Sequence, residues 1–270
     1  MIQDYWHYLD SKRARAVAAT DPVLVLPLGA IEQHGPHLPL GTDLLIIESL
    51  LDAAWPLLPA QVSAWRLPAL AVGASTEHGA FAGTLSHEPE TLIRMIADIG
   101  AQLASIGVRR LVLCNGHGGN RQVLDLAALR LRAQHGMLVI KSNYFRYPLP
   151  EQLALPAAEQ QHGFHGGALE TALMLHLHPQ LVALDALHDR RSLGERLQAE
   201  RFARIGPEGQ AGFAWMAGDL HRDGVVGDAS LATAAFGAQV AAAYALAIAE
   251  TLAEAARFPL STLAVSPRRD

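Results

Sequence analysis

A single cysteine, Cys114, among 270 residues excludes an internal disulfide framework and fits a reducing compartment. Charge is scarce too. Only 17% of residues are charged and the net charge is −5, with no basic stripe, so a nucleic-acid partner has no electrostatic support. Residues 1–6 carry a charge and polar groups where the apolar run of a signal peptide would stand, and a cytoplasmic protein is expected. Apolar residues, by contrast, make up half of the chain, enough for a sizeable core. Residues 229–249 lack any charge and are numerous enough to span a bilayer. Their apolarity is mostly alanine, however, and the larger side chains Phe236, Val240, Tyr244 and Ile248 recur every four residues. That spacing predicts a helix with one packing stripe, buried or at a subunit interface, and no membrane partner. Residues 266–270 are expected to fray.

Short β-rich runs alternate with longer helical patterns, which predicts an α/β fold with a mainly parallel sheet covered by helices on both faces. Strands are expected at residues 23–28, 66–72, 110–114 and 137–142, and helices at 44–55, 89–106, 122–135 and 167–177. Residues 144–161, broken by Pro148, Pro150 and Pro156, predict a long functional loop. A polar stretch at 189–204 and a Gly-rich segment at 206–227 follow. No repeat or linker divides the chain, so residues 1–270 are expected to form one domain.

Three clusters carry the chemistry. The first is Glu32-Gln33-His34-Gly35-Pro36-His37 with Gly41-Thr42-Asp43. Glu32 and His34 stand two apart after an apolar strand, so persisting strand geometry projects both from one face. Two carboxylates and an imidazole in a Gly- and Pro-rich stretch resemble half of a divalent-metal site, suited to Zn²⁺, Mn²⁺ or Fe²⁺ better than Ca²⁺. The second, Asn115-Gly116-His117-Gly118-Gly119-Asn120, follows a strand and precedes a helix, the place where open α/β sheets gather ligands. Its glycines allow close backbone approach and offer N–H groups to an oxyanion; a plain turn with a solvent-facing His is the alternative. The third, His165-Gly166-Gly167-Ala168-Leu169-Glu170, opens a helix, where Glu170 would also complement the helix dipole. Cys114, ending an apolar strand, is expected to be a small buried hydrophobe. His176 and His178 are expected to face solvent, and His37 and His78 to orient metal ligands. Gly227-Asp228 is expected to fix a turn near the site or a subunit contact.

With these motifs the chain resembles the creatininase family of metal-dependent amidohydrolases. The resemblance rests on the stretch from Leu26 to Pro39 with Thr42-Asp43, on Glu77-His78 with Gly83-Thr84, on the His117 loop, on His165 with Glu170-Thr171, and on Gly224-Val225-Val226-Gly227-Asp228. It implies a single-domain three-layer α/β/α sandwich and two divalent metal ions, Zn, Mn or Fe. Glu32 and His117 would bind one ion, His34 the other, and Asp43 would bridge them. Creatinine-hydrolysing members take a further ligand, a glutamate, at the position of Gly119; here Glu170 is the candidate to supply it. His165 matches the histidine that shuttles protons, so His165 and Glu170 are the candidate catalytic residues. The resemblance also suggests a homo-oligomer, a hexamer favoured, for which the Ala-rich last helix could furnish the contact.

The chemistry of such a site agrees. Two divalent ions lower the pKa of a bridging water and polarise an amide carbonyl, and a histidine suits proton delivery to the leaving nitrogen. The expected enzyme is a dinuclear metal-dependent hydrolase of C–N bonds other than peptide bonds. Its substrate is expected to be a small-molecule amide: a small cyclic amide, a formamide or a short peptide. Creatinine itself fits poorly. The creatinine-hydrolysing members enclose that ring with tryptophans in the loop before the catalytic histidine, whereas residues 144–163 contain none and Gln161 stands four residues before His165. Two alternatives stand beside this reading. One is a deformylase of a phosphorylated formamidopyrimidine-type heterocycle, with residues 115–120 binding the anion. The other is a non-catalytic metal-containing binding protein, motivated by Gly119.

Overall fold

The structure, a computed structural model, describes residues 4–264; the tail at 266–270 lies outside the described residues. Strands β1 (Val23–Leu28), β2 (Ala64–Arg66), β3 (Arg110–Asn115) and β4 (Leu138–Asn143) form one parallel sheet in the order β2-β1-β3-β4. Both central strands, β1 and β3, are buried along their whole length, which is why they read as near-continuous apolar runs. Alternation sorts their side chains between two cores. Val23, Val25, Val112 and Cys114 enter one, and Leu24, Leu26, Leu28, Leu111 and Leu113 the other.

Nine α-helices are present among the described residues: α1 (Ser11–Ala18), α2 (Thr42–Ala54), α3 (Pro89–Ser105), α4 (Arg121–His135), α5 (Ala157–His162), α6 (Ala168–Leu177), α7 (Leu193–Ala199), α8 (Ala217–Leu220) and α9 (Ala234–Arg257). Helices α2, α6 and α9 pack on the valine face of the sheet, with Ile46, Leu50, Leu173 and Val240 in that core. Helices α3 and α4 cover the leucine face through Leu92, Ile96, Leu124 and Leu131. The fold is thus the expected α/β arrangement with a parallel central sheet and helices on both faces. Helix α9 has the length and apolarity to cross a membrane, but its Val240, Tyr244, Ile248 and Leu252 stripe is buried in the core beside α2 and α6.

Three local expectations are corrected. The second strand occupies 64–66 rather than 66–72, because Pro68 carries no N–H to continue a ladder. Leu67 and Leu70 still donate to the carbonyls of Val25 and Pro27, so the chain follows β1 as a broken extension. The loop at 144–161 contains the start of α5, and the polar stretch at 189–204 contains α7, whose N-cap Ser192 accepts from Gly194 N. Two-residue pairs complete the fold: β5 (Asp189–Arg190) with β8 (Gly227–Asp228), and β6 (Ile205–Gly206) with β7 (Ala211–Gly212).

The crossing of α6 and α9 depends on Gly237, where an added methyl would collide with the carbonyl of Ala172. Gly237→Ala is expected to lower the unfolding free energy by about 1–3 kcal/mol in urea titration, as overpacking does. Gly218→Ala on α8, with open space at that position, is expected to stay within about 0.5 kcal/mol.

Candidate metal centre

All three clusters meet at the carboxyl end of the sheet. Residues 29–41 carry Glu32 and His34 away from the end of β1, and Thr42, whose hydroxyl donates to Pro39 O at 2.7 Å, opens α2 with Asp43 in its first turn. The His117 loop follows β3, and Glu170 lies in the first turn of α6. Glu32, His34, Asp43 and His117 are each at most 4% exposed. His34 Nε2 lies 3.4 Å from Asp43 Oδ1 and 3.9 Å from Glu170 Oε2. His117 Nε2 lies 3.2 Å from Glu32 Oε2, and His117 Nδ1 lies 3.4 Å from Asp43 Oδ2. Two groups of three donors result, Glu32–Asp43–His117 and His34–Asp43–Glu170, each compact enough to hold an ion and both containing Asp43. A third group, Glu32–His34–His165, overlaps them.

The donors fit cations on a second count. Both oxygens of Glu32, Oδ2 of Asp43 and Nε2 of His34 are shut off from solvent without a hydrogen-bond partner. Burying an ionised carboxylate unpaired costs several kcal/mol, so this arrangement calls for positive charge at its centre. The orientation of His34 suits ligation. His34 Nδ1–H donates to Glu32 O at 3.1 Å, so Nε2 faces the carboxylates and offers a lone pair to a cation once its proton is displaced. Burial alone would lower the pKa of His34, but Asp43, Glu170 and Glu32 outweigh it and raise it to about 10. Burial would likewise raise Asp43, yet His34 and His117 hold its carboxyl far below the usual range. Glu170 is pushed up to about 7 by burial, with the charges of Asp43 and Glu32 adding to it against His34.

A hydrogen-bonded frame fixes these side chains. Asn115 Oδ1 accepts from His117 N, Asn120 Nδ2 donates to Gly29 O, and Asn120 Oδ1 accepts from Ala74 N. His37 bonds Gly166 O at 2.9 Å, and Gly166 N donates to Glu170 Oε2 at 2.6 Å. Glu159, buried on α5, accepts from Ala168 N and Asp228 N, tying the start of α6 to β8. His165 pairs with Val226 beside β8, so Gly227-Asp228, expected to fix a turn or a subunit contact, instead forms this short strand next to the site. His165 Nε2–H donates to Gln33 O at 2.9 Å, and its Nδ1 lies 3.7 Å from Glu32 Oε1. Burial, together with the neighbouring His34 and His78, keeps His165 well below its ordinary value and therefore neutral.

Other expectations are refined. Of the N–H groups expected to cradle an anion at 115–120, those of Gly116, His117 and Asn120 are committed to Leu28 O or to bonds within the loop. His178 bonds Ser49 Oγ at 3.0 Å instead of facing solvent, while His176 is exposed. Cys114 is buried and its thiol is pushed up to about 12 by burial, which removes it as a nucleophile. Sequence reasoning gave no role to Gln33, whose Nε2 donates to Gly224 O at 2.5 Å and to His78 Nδ1 at 2.8 Å. Its position between Glu32 and His34 was the available signal. Trp215 also went unnoticed, because it reaches the site from a Gly-rich segment far along the chain. It packs on Phe164, ring centroids 5.7 Å apart, and with Phe145, Phe213 and Arg121 lines a cavity of about 650 Å³ that opens onto Asp43, His117, His165 and Glu170.

Fold and site together define an α/β protein with a candidate metal centre at the carboxyl ends of a parallel sheet. The family model for creatininase, described as creatinine amidohydrolase, matches residues 7–252. A mycofactocin precursor peptide peptidase of Mycobacterium tuberculosis (strain CDC 1551 / Oshkosh) is 34% identical over 243 residues, 87% of this chain and 86% of the relative. A creatinine amidohydrolase of Pseudomonas putida is 37% identical over 193 residues, 64% of this chain and 71% of the relative. The crystal structure of a creatinine amidohydrolase superposes with a TM-score of 0.77 at 27% identity, covering 96% of this chain and 100% of that one. A creatininase structure whose name specifies Mn gives a TM-score of 0.73 at 28% identity, covering 94% and 99%. The chain belongs to the creatininase family of hydrolases.

Without a metal ion, His34 carries a proton at neutral pH, so its binding of a cation must expel that proton. Uptake of Zn²⁺ or Mn²⁺ at pH 7 is expected to release protons, read with a pH indicator in weak buffer. Because the folded pKa of His34 is raised, its contribution to stability is full below about 6.5 and is lost as pH rises through about 10. Chelator-treated protein should therefore lose thermal stability across that window more steeply than metal-loaded protein, as measured by calorimetric melting.

Proposed function

We propose that this protein is a metal-dependent amidohydrolase with a two-cation centre, Glu32, Asp43 and His117 holding one ion and His34, Asp43 and Glu170 the other. The observation that carries the reading is the pair of donor groups sharing Asp43, with buried carboxylate oxygens that have no other partner. When bound, divalent ions at such donors activate water and polarise an amide carbonyl. The chain's residues account for the remaining requirements. His165, neutral and fixed by Nε2–H to Gln33 O, presents Nδ1 to accept a proton and return it to the leaving nitrogen. Phe145, Phe164, Phe213 and Trp215 wall the cavity and exclude water around the scissile bond.

The substrate class proposed is a small amide or a short peptide. A cavity of about 650 Å³ suits either. The relatives point the same way, one set named for a peptide and another for creatinine. Trp215 and Phe164 offer an aromatic surface from different segments, so a flat amide is accommodated without tryptophan in the 144–163 loop. We further propose a cytoplasmic homo-oligomer, with a hexamer favoured. Leu126 and Leu129, exposed on α4 beside the edge strand β4, support association. Light scattering is expected to give a multiple of the 28.9 kDa chain mass.

Two substitutions separate binding from chemistry. Asp43→Ala is expected to abolish binding of both ions in elemental analysis. His165→Ala is expected to keep the metal content and to lose about 10²- to 10⁴-fold in turnover across a panel of creatinine, N-formyl amides and dipeptides. Equal metal loss in both variants would contradict the assignment.

A further inference from the structure

The motif residue Glu77 has no part in the site as described so far. It lies in the short helical turn Thr76–His78, half-buried, and its carboxylate lines the same cavity as Asp43, His117 and Glu170. Glu77 Oε1 stands 3.7 Å from His117 Nε2. The turn is clamped to the His117 loop, since Ala74 N donates to Asn120 Oδ1 at 3.0 Å and Ala74 O lies 3.0 Å from His117 Nε2. Ser75 Oγ adds a contact to the same nitrogen at 3.3 Å. The turn that bears Glu77 is therefore held by the frame that holds a metal-site histidine, and Glu77, outside the three compact donor groups, reaches the site beside His117.

Position 119 explains why the space exists. A Cβ at Gly119 would lie 2.5 Å from Glu77 Oε1, 2.5 Å from His117 Nε2 and 2.6 Å from Ala74 O. The volume into which a side chain at 119 would emerge is thus occupied by the Glu77 carboxylate. We infer that Glu77 is a further carboxylate donor of the cation site formed by Glu32, Asp43 and His117, occupying the volume that a side chain at position 119 would need. This inference rests on the two-cation reading above. It deepens that reading in one respect: with Glu32 and Asp43, Glu77 makes this site richer in oxygen, which favours a harder ion such as Mn²⁺ relative to Zn²⁺.

The test uses full-length protein stripped with chelator and reloaded, with affinities read by calorimetric titration of MnCl₂ and ZnCl₂. Glu77→Gln keeps the shape and removes the anionic donor. It is expected to lower the Mn²⁺ affinity of one of two sites by at least about tenfold, Zn²⁺ affinity less, and to alter the visible absorption of the Co²⁺-substituted protein. Glu208→Gln, which removes another carboxylate lining the cavity, is expected to leave affinity within about twofold and the Co²⁺ spectrum unchanged, excluding a general charge effect. Gly119→Ala, folded by circular dichroism, is expected to weaken the same site by crowding Glu77 and His117. Two ions bound by Glu77→Gln with wild-type affinities and an unchanged Co²⁺ spectrum overturn this inference alone. A wild-type protein that binds no cation overturns it together with the reading beneath it.

Discussion

The structure is organised around an electrostatic demand at the carboxyl end of β1. Glu32 and Asp43 are carboxylates removed from water, and between them three oxygens lack any hydrogen-bond donor. Among the described residues, the groups positioned to balance them are imidazoles, and the spacing of the donors would admit cations. Buried charge of this kind is tolerated only when it is paired, and pairing it with cations converts a cost of folding into a binding site. The site's protonation pattern follows. His34 is driven toward the charged form by its carboxylates, while burial and the neighbouring imidazoles of His34 and His78 drive His165 toward the neutral form.

Meeting that demand requires the flanking loops to be rigid, and the fold supplies this through polar side chains outside the donor groups. Asn115 and Asn120 lock the His117 loop to Gly29 O and Ala74 N. Glu159 gathers the N–H groups of Ala168 and Asp228, and Gln33 links the first cluster to His78 and Gly224. Gly227, with φ of 123°, turns the chain beside the Glu159 carboxylate in a conformation that favours glycine. Donors drawn from four segments are thereby held at the mouth of an aromatic-walled cavity.

The parts legible in the sequence are those governed by local periodicity. Strands β1 and β3 are continuous apolar runs because both faces are buried, and α2, α3, α4 and α6 carry helical spacing between Gly and Pro punctuation. Glu32, His34, Asp43, His117 and Glu170 were also legible, because each lies in a compact motif at a strand end or helix start. What local pattern cannot carry is contact across the chain. The second strand slipped because Pro68 stops a ladder that Leu67 and Leu70 nevertheless follow in part. Helices α5 and α7 are too short to establish a period. Trp215 and Glu77 gain meaning only from tertiary neighbours, Phe164 in one case and His117 with Gly119 in the other.

The proposed centre consists of two cations sharing one aspartate. Anomalous diffraction from crystals of manganese- or zinc-replete protein, collected across the metal's absorption edge, addresses it most directly. The predicted result is two peaks, one among Glu32, Asp43 and His117 and one among His34, Asp43 and Glu170, with Asp43 touching both. A single peak, peaks away from Asp43, or no peak from metal-replete crystals would contradict the account.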